Sequence, residues 1–412
     1  MKISIITKFA VRTLGRNIRR TILSAVGISI GITISLFLTS FMRGANDYRV
    51  KAIAESGFGH IRVAPKGWLT QQDNDMRLSD WESDLRAIRS LKEVSVAAPH
   101  ARATALLAFG TRVTGVEILG VDPEAERTVN RITRAVSEGR YLNESDDDGT
   151  VIGSAIAERL DVELGDELLL TLVGKDGEMK YAMLSIVGIA HTGSQELDAA
   201  ICHVRLEDIE ELSGYPGAGE ITVKVTDGRN LDTMVATITK ATPSNDDILT
   251  WREIQPAQGA DYESDKAFMN LISSIVMIVV ILGITSAQLT TILERKREFA
   301  VLIALGMKGV QVLRLIITEA VVLGIIGAIF GLILATPLVF YISTTGFDFS
   351  KMMGETSISG VLLDPVMYGD MGMWLIPRAL LIGLISTFIA ALYPAWFAIK
   401  TDPTSALSLR EA

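Results

Sequence analysis

The sequence of 412 residues is poor in the side chains that build disulfides and metal sites. Its single cysteine, Cys202, cannot form an internal disulfide, and we expect it to be a buried thiol on a strand. The four histidines lack metal-ligand spacing and none lies beside a second cysteine, so no zinc site is expected; they are His60, His100, His191 and His203. Any extramembrane domain must therefore be held together by its own hydrophobic core.

Motifs for nucleotide binding and hydrolysis are also missing. The sequence has no G-x-x-x-x-G-K-[ST] loop to cradle phosphates and no G-x-S-x-G nucleophile elbow. The acidic run at residues 146–149 lacks the spaced ligands and closing glutamate of a calcium loop. Glu319 and Arg378 lie near predicted membrane faces, where pairing or snorkelling explains them better than a proton relay. We therefore expect no catalytic residue, metal or cofactor in this chain.

Long apolar runs are the feature that the sequence does have. A helix needs about 20 apolar residues to span the roughly 30 Å of a bilayer core, and four runs reach that length. The predicted spans are residues 21–42, 268–292, 313–341 and 374–397. A cleaved signal peptide is the alternative for the first run, but the run is longer than the apolar region of such a peptide and no cleavage site follows it. We therefore favour an uncleaved anchor.

Basic residues flank these spans on one side of the membrane. Residues 1–20 carry lysine and arginine but no acidic residue, and the loop at 293–312 is also rich in both cations. The positive-inside rule places these segments, and a tail at 398–412, in the cytoplasm. Residues 43–267 and the loop 342–373 then lie outside. The long external segment has more acidic than basic residues, which argues against nucleic-acid binding.

The external segment is predicted to be a mixed α/β domain. Alternating or β-rich patterns predict strands at residues 59–64, 94–98, 103–109, 114–120, 167–172, 183–188 and 220–225. Helical spacing predicts helices at residues 81–90, 155–160, 206–212 and 231–241. Their order suggests two subdomains, one combining about 46–115 with 218–265 and the other inserted at about 116–217.

A charge cluster, a short apolar stretch and a glycine follow the second span, which predicts a short amphipathic helix parallel to the membrane. This run resembles the E-R-x-R-E-[IF]-[AG]-[VIL]-x-x-A-x-G signature of the FtsX/MacB superfamily of ABC transporter permeases. In that family the segment contacts the cytoplasmic ATPase. The matching positions are Glu294, Arg295, Arg297, Glu298, Ala304, Leu305 and Gly306.

Two other cytoplasmic segments carry the same resemblance. The end of the chain is similar to the family's Y-P-A-x-x-A-x-x-x-D-P-x-x-A-L ending, at Tyr393, Pro394, Ala395, Ala398, Asp402, Pro403, Ala406 and Leu407. Residues 1–20 resemble the family's basic interfacial helix, which runs into the first span. Residues 57–68 are similar to a stretch that follows the first span in LolC/LolE lipoprotein-releasing permeases, and 151–168 to a segment shared by LolC/LolE and MacB.

The resemblance implies an α-helical membrane protein with four transmembrane helices and a large mixed α/β, MacB-like periplasmic domain, in the bacterial inner membrane. It implies a non-catalytic permease whose partners are a cytoplasmic ABC ATPase dimer that binds ATP and Mg, a second permease copy or paralogue, and a periplasmic lipoprotein carrier. The length without a fused ATPase fits LolC/LolE and extraction of lipoproteins or lipids. The alternatives are MacB-like efflux with a periplasmic adaptor, an FtsX-like regulator of a periplasmic hydrolase, and a membrane-anchored binding protein without an ATPase.

Two groups of residues within the spans have predicted roles. The G-x-x-x-G pairs Gly27/Gly31 and Gly327/Gly331 permit close approach of helices and are expected to pair two permeases. Acyl chains taken from the outer leaflet must meet an apolar opening near the external ends of the first two spans, where membrane lipids also lie. The predicted lining is Phe37, Leu38, Phe41, Met269, Ile272 and Val276, which share helix faces in each span.

Overall fold

The computed structural model describes residues 15, 18–71, 75–228, 230–349, 356–358, 361–363 and 365–400. Most of the predicted interfacial helix at 1–20, and the motif residues Asp402, Pro403, Ala406 and Leu407, lie outside this range. Two compact units are present. The helical unit contains the described residues of Met1–Ala45, Ser264–Phe347 and Met367–Ala412, and the sheet unit those of Asn46–Glu263 and Asp348–Val366.

The secondary structure of the described residues is as follows. The helices are α1 (Ile18–Glu55), α2 (Trp81–Arg89), α3 (Pro123–Val129), α4 (Ser154–Leu160), α5 (Gln195–Asp198), α6 (Leu206–Ser213), α7 (Leu231–Ala241), α8 (Trp251–Ile254), α9 (Pro256–Glu294), α10 (Lys296–Ala304), α11 (Gly309–Thr344) and α12 (Leu375–Lys400), with a 3-10 turn at Arg131–Arg134. The strands are β1 (Ile61–Ala64), β2 (Val94–Phe109), β3 (Arg112–Val121), β4 (Val136–Gly139), β5 (Gly149–Gly153), β6 (Glu167–Val173), β7 (Met179–Ala190), β8 (Cys202–Arg205), β9 (Glu220–Val225), β10 (Asp247–Thr250), β11 (Phe347–Asp348), β12 (Thr356–Ile358), β13 (Val361–Leu363) and β14 (Val366–Met367).

Four of the described helices, α1, α9, α11 and α12, are long and apolar enough to cross a membrane. They correspond to the four predicted spans, but α1 continues to Glu55 and α9 already begins at Pro256. Hydropathy marks where apolar composition stops, whereas the helical backbone persists as long as its hydrogen bonds and one packed face are kept. The last turns of α1 stay helical because Ala52 and Ile53 are buried.

Close packing in the helical unit joins α1, α11 and α12. Their shared core contains Ile28, Ile32, Leu36, Leu323, Ala328, Ala335, Ala379, Ile382 and Ala390. Hydroxyl groups on α1 add hydrogen bonds across the contact: Ser29 Oγ and Thr33 Oγ1 donate to the carbonyls of Gly327 and Gly331, each at 3.2 Å. Helix α9 is less enclosed in the helical unit than α1.

The sheet unit is built on ten strands of the described chain, paired in the order β10-β1-β9-β2-β3-β8-β5-β7-β4. Strand β6 pairs with both β2 and β7. As a result, β2, β3, β8, β5, β7 and β6 close into a ring. The pairs β3/β8 and β5/β7 are parallel, and the other pairs of this sheet are antiparallel. The ring encloses an aliphatic core that includes Leu107, Ile118, Leu170 and Ile186.

The predicted strands and helices of this unit are confirmed, with one difference in β2. Two separate strands were expected at 94–98 and 103–109. In the structure Pro99 lies opposite Ile221 and His100 opposite Glu220, so one strand continues from Val94 to Phe109. Side-chain pattern alone does not reveal a strand whose partners lie more than one hundred residues away.

Strand β2 contributes residues to two hydrophobic clusters. Its second half contributes to the core of the ring, while Ala97 belongs to a cluster formed by β1, β9, α2, α7 and the end of α1. The β2–β3 hairpin crosses residue 115, the predicted boundary between subdomains. The division into two subdomains therefore stays a prediction. Cys202 is confirmed as a buried thiol on a strand, and burial raises its pKa to about 12.

Candidate functional site

The predicted coupling segment, residues 293–312, begins with a break at Arg295 between α9 and α10. Helix α10 ends at Ala304 and is terminated by Gly306, which has φ +95°. The amides of Gly306 and Met307 donate to the carbonyls of Ile303 and Leu302 at 2.9 and 3.0 Å, which is the Schellman pattern of helix ends. Glycine is required at this position because an L side chain is strained at positive φ. The short helix therefore has a defined beginning and end.

One face of α10 is packed into the helical unit. Phe299, Leu302 and Ile303 are spaced three to four residues apart and contact the start of α11 and the end of α12. Their partners include Val312, Leu315, Ile316, Ala395 and Ala398. Ala395 and Ala398 belong to the C-terminal family motif, so the structure brings two of the recognised segments together.

Arg295 points into the protein rather than outward. Its side chain is 5% exposed, and Nη1 donates to both carboxylate oxygens of Glu319 on α11 at 3.0 and 3.2 Å. Nε donates to Glu298 Oε2 at 2.9 Å, and the guanidinium lies 4.9 Å from the ring centroid of Phe299. Arg295 thus does not share an exposed charged surface with the other predicted residues. Glu319, considered from sequence as an isolated acid, is its buried partner.

The exposed face of α10 carries a stripe of three residues at a spacing of four: Arg297, Val301 and Leu305. Val301 is 47% and Leu305 is 80% exposed. Glu294 and Glu298 are also exposed beside this stripe. Four of the predicted residues, Glu294, Arg297, Glu298 and Leu305, are therefore exposed to a soluble partner. Gly306 terminates the helix, and the side chain of Ala304 lies outside the described atoms. Val301 fits the [VIL] position of the signature but was not among the predicted coupling residues.

A cavity of about 670 Å³ lies between α1 and α9. Its lining is mainly aliphatic and small, and includes Gly27, Ile30, Ile34, Val276, Val279 and Gly283. Among the six predicted cargo-access residues, Val276 is in the lining. Phe37, Leu38, Phe41, Met269 and Ile272 are partly buried and lie nearer the ends of the helices that join the sheet unit. The cavity is therefore deeper along the helices than the predicted opening.

The four predicted packing glycines have different surroundings. A Cβ atom at Gly327 would lie 2.4 Å from Ile28, and one at Gly331 would lie 2.9 Å from Ile32, so both glycines admit α1 of the same chain. A Cβ atom at Gly31 would lie 2.1 Å from Val280 of α9. Nothing lies within 4 Å of a Cβ atom at Gly27, which faces the cavity. Three of the four glycines thus lie in close contacts between helices of the same chain. A role of these glycines in pairing two permeases stays a prediction.

A buried ionic cluster lies in the sheet unit. Arg62 and Arg102 contact Glu220 at 3.2 and 3.0 Å, and His100 Nε2 lies 2.6 Å from Glu126. Burial alone would raise the pKa of Glu126, but the charge and hydrogen bond of His100 outweigh it and lower the value to about 2. Arg62, His100, Glu126 and Glu220 are buried, while Arg102 is partly exposed. Their contacts with one another join neighbouring elements of the sheet unit.

Ser154, His191 and Asp198 also meet in the sheet unit, although no sequence motif suggested it. Their geometry does not suit nucleophilic catalysis. Ser154 Oγ donates to Asp198 Oδ2 at 2.9 Å, and the same nitrogen of His191, Nδ1, lies 3.0 Å from Ser154 and 3.2 Å from Asp198. A triad needs the two imidazole nitrogens to contact different partners. Among the described residues, no group of three or more His, Cys, Asp or Glu side chains could hold a metal ion.

Comparisons with known proteins cover both units. The family model of the MacB-like periplasmic core domain matches residues 21–241, and that of the FtsX-like permease C-terminal matches residues 270–403. Lipoprotein-releasing system transmembrane protein LolC of Neisseria meningitidis serogroup B is 24% identical, over 84% of this chain and 85% of that protein. LolE of Haemophilus influenzae is 23% identical, over 93% of each chain. Macrolide export ATP-binding/permease protein MacB of Campylobacter jejuni is 23% identical, over 94% of this chain and 59% of that protein.

The two family matches cover most of the four long helices and of the sheet unit, and all of the coupling segment, with residues 242–269 between them. The chain belongs to the FtsX/MacB superfamily and is a transmembrane permease of an ABC transporter.

Proposed function

We propose that this chain couples ATP hydrolysis by a separate cytoplasmic ATPase dimer to extraction of lipoproteins or lipids from the inner membrane. In this proposal both termini and α10 are cytoplasmic, the sheet unit is periplasmic, and a second permease completes the assembly. The ATPase holds ATP and Mg, and this permease supplies the membrane path and the moving periplasmic domain.

The observation that carries the proposal is the apolar cavity between α1 and α9. About 670 Å³ falls within the roughly 300–1,000 Å³ typical of ligand pockets. Aliphatic walls and the absence of a side chain at Gly27 suit acyl chains, whose transfer from lipid into such a site does not require burial of polar groups. The polar lining atoms come from hydroxyls such as Ser24, Ser286 and Thr290, which lie toward the proposed cytoplasmic end.

The path for cargo combines the predicted opening with this cavity. Phe41 and Met269 lie at the proposed outer-leaflet ends of α1 and α9, and Val279 lines the cavity. Acyl chains are proposed to pass between Phe41 and Met269 and then to lie against Val279 before ATP drives release. Similarity to LolC and LolE supports lipoprotein as cargo and a periplasmic carrier as the receiver.

Photo-crosslinking in native membranes tests this path. A crosslinker at Phe41, Met269 or Val279 is expected to capture a lipoprotein before ATP is added and to lose it afterwards. Ile329, an exposed aliphatic residue of α11, is the matched control and should capture bulk phospholipid whether or not ATP is present. Capture of phospholipid alone at all four positions would contradict extraction and would favour MacB-like efflux or FtsX-like regulation of a hydrolase.

A further inference from the structure

We propose that the Arg295–Glu319 ion pair is the linkage that makes α10 and α11 move together, and that Arg295 is a positioning residue for coupling rather than part of the ATPase-docking surface. The proposal rests on the proposed function, because it assumes that an ATPase acts on α10. It assigns different tasks to neighbouring arginines of one motif. Arg295 transmits motion inside the permease, and Arg297 meets the partner.

The position of Arg295 suits a linkage because three elements meet at its guanidinium. The residue occupies the break between α9 and α10, with φ −96° and ψ 11°. Nη1 donates to both oxygens of Glu319 on α11, and Nε donates to Glu298 on α10. A displacement of α10 therefore pulls on α11 through a charged contact in which one guanidinium holds two carboxylates.

Apolar packing alone would transmit such a displacement less well. Phe299, Leu302 and Ile303 contact α11 and α12 through aliphatic and aromatic surfaces, which are not directional and can slide past one another. A guanidinium that donates to two carboxylates has fixed angles and distances, and burial protects it from screening by salt. Arg295 and Glu319 are 5% and 6% exposed, so water does not replace this contact when it is strained.

Burial also separates Arg295 from the surface that an ATPase can touch. The exposed stripe of α10 consists of Arg297, Val301 and Leu305, whereas Arg295 and Glu319 are buried. A substitution at Arg295 that keeps the volume of the side chain leaves this stripe intact. Binding of the ATPase and transmission of its motion are therefore separable by mutation.

The central variant is the double substitution Arg295→Met with Glu319→Leu. Replacing both members of a buried pair by apolar residues of similar volume avoids an unpaired buried charge, so the fold is kept. The matched control is Arg314→Met, which removes an exposed cation from the same helix, α11. Arg295→Lys is the conservative variant, because Arg295 uses two nitrogens, Nη1 for Glu319 and Nε for Glu298, and lysine has only one.

Three measurements on the full-length permease in nanodiscs decide the matter: ATPase copurification, basal ATP hydrolysis, and cargo released per ATP. In the double variant we expect normal copurification and basal hydrolysis, with release per ATP reduced about tenfold, which lies within the range for changes in a coupling network. Arg295→Lys should fall between wild type and the double variant, and Arg314→Met should match wild type. Arg297→Glu should instead reduce copurification.

A fourth measurement does not depend on the ATPase. Spin labels at Val301 on α10 and Val310 on α11, both exposed, report the distance between these helices in the permease alone. The native Cys202 is buried, so labelling at the two introduced cysteines is selective. The double variant should broaden the distance distribution, and Arg314→Met should not.

Three results would overturn the linkage. The first two are an unchanged distance distribution in the double variant and unchanged cargo release per ATP despite loss of the pair. The third is loss of ATPase copurification in the double variant, because Arg295 would then belong to docking. A wild-type chain that captures no ATPase would instead contradict the proposed function. The spin-label distances would still test the linkage between α10 and α11, because they are measured on the permease alone.

Discussion

At the scale of single residues, two histidines of the sheet unit are held neutral by their surroundings. Burial, assisted by Lys224, lowers the pKa of His60 to about 4, and its Nδ1 accepts a hydrogen bond from the amide of Val225 at 3.1 Å. Burial likewise lowers the pKa of His203 to about 4. An unfolded histidine has a pKa near 6.5, so the unfolded chain binds more protons than the folded chain between about pH 6.5 and 4.

Stability of the sheet unit should therefore fall with acidification. The contribution of each neutral histidine is complete above pH 6.5 and is lost as the pH drops toward 4, by about 2 kcal/mol per histidine at pH 5. Urea unfolding of the full chain in detergent at pH 7.5 and pH 5 measures this loss. His60→Gln should reduce the pH dependence relative to the wild-type chain. Equal pH dependence in the two proteins would contradict the assignment.

The glycines of the spans give a second prediction at this scale. Leucine at Gly331 must displace Ile32 and the backbone of Ser29, which lie 2.9 and 3.1 Å from the added Cβ. We expect a loss of about 1–3 kcal/mol or more, as for overpacked cores. Gly27→Leu is the matched control, because nothing lies within 4 Å of its Cβ and the side chain can enter the cavity.

Thermal unfolding in detergent compares the two glycine variants. Gly331→Leu should lower the midpoint, and Gly27→Leu should not. Crosslinking between permeases in membranes is the second measurement, since the sequence predicted pairing through both motifs. If Gly331→Leu abolishes crosslinking without a change in the midpoint, the glycine acts between chains and not within one.

At the scale of elements, the exposed stripe of α10 is the predicted contact for the ATPase. Arg297, Val301 and Leu305 combine one positive charge with two exposed aliphatic side chains, a composition that suits a protein interface better than a solvated helix face. Arg297→Glu with Leu305→Ala should reduce ATPase copurification by about tenfold or more, as for loss of interface anchors.

Exposed positions elsewhere provide the control for the docking stripe. Lys308→Glu lies just beyond Gly306 and off the stripe, so it reverses a neighbouring exposed charge without touching Val301 or Leu305. Membrane insertion of all variants should be normal. Equal copurification by the stripe variant and wild type would rule out this face as the docking site.

Elements were predictable where a local pattern determines them. The apolar length of the spans, the strand alternation at 220–225 and the glycine that ends α10 each depend on a few adjacent residues. The ion pair between Arg295 and Glu319 was not predictable from sequence. The two residues are 24 positions apart and meet only after α10 folds back on α11. The cavity was also missed in part, since sequence indicates which residues share a helix face but not how far along the helices a gap between them lies.

At the scale of the whole molecule, family membership was recognisable from sequence because its motifs are contiguous. The motif segments at 294–306 and 393–398 meet in the helical unit, where Phe299, Ala395 and Ala398 belong to one hydrophobic cluster. The closed ring of strands was not recognisable, since it depends on β6 pairing with both β2 and β7. Pairings of this kind are specified by tertiary packing and not by a local pattern.

The 16-residue strand β2 has a consequence for how the sheet unit absorbs heat. Its first half is paired with β9, and its second half with β3 and β6. Unfolding of either hydrophobic cluster would therefore detach β2 and expose part of the other cluster. Calorimetry should therefore show a single endotherm for this unit, and cleavage near residue 115 should yield no fragment that retains protected amides. The same strand determines how the unit responds to force. A pull applied along β2 at one end is transmitted to the other end, and the backbone hydrogen bonds to its neighbouring strands resist it in shear.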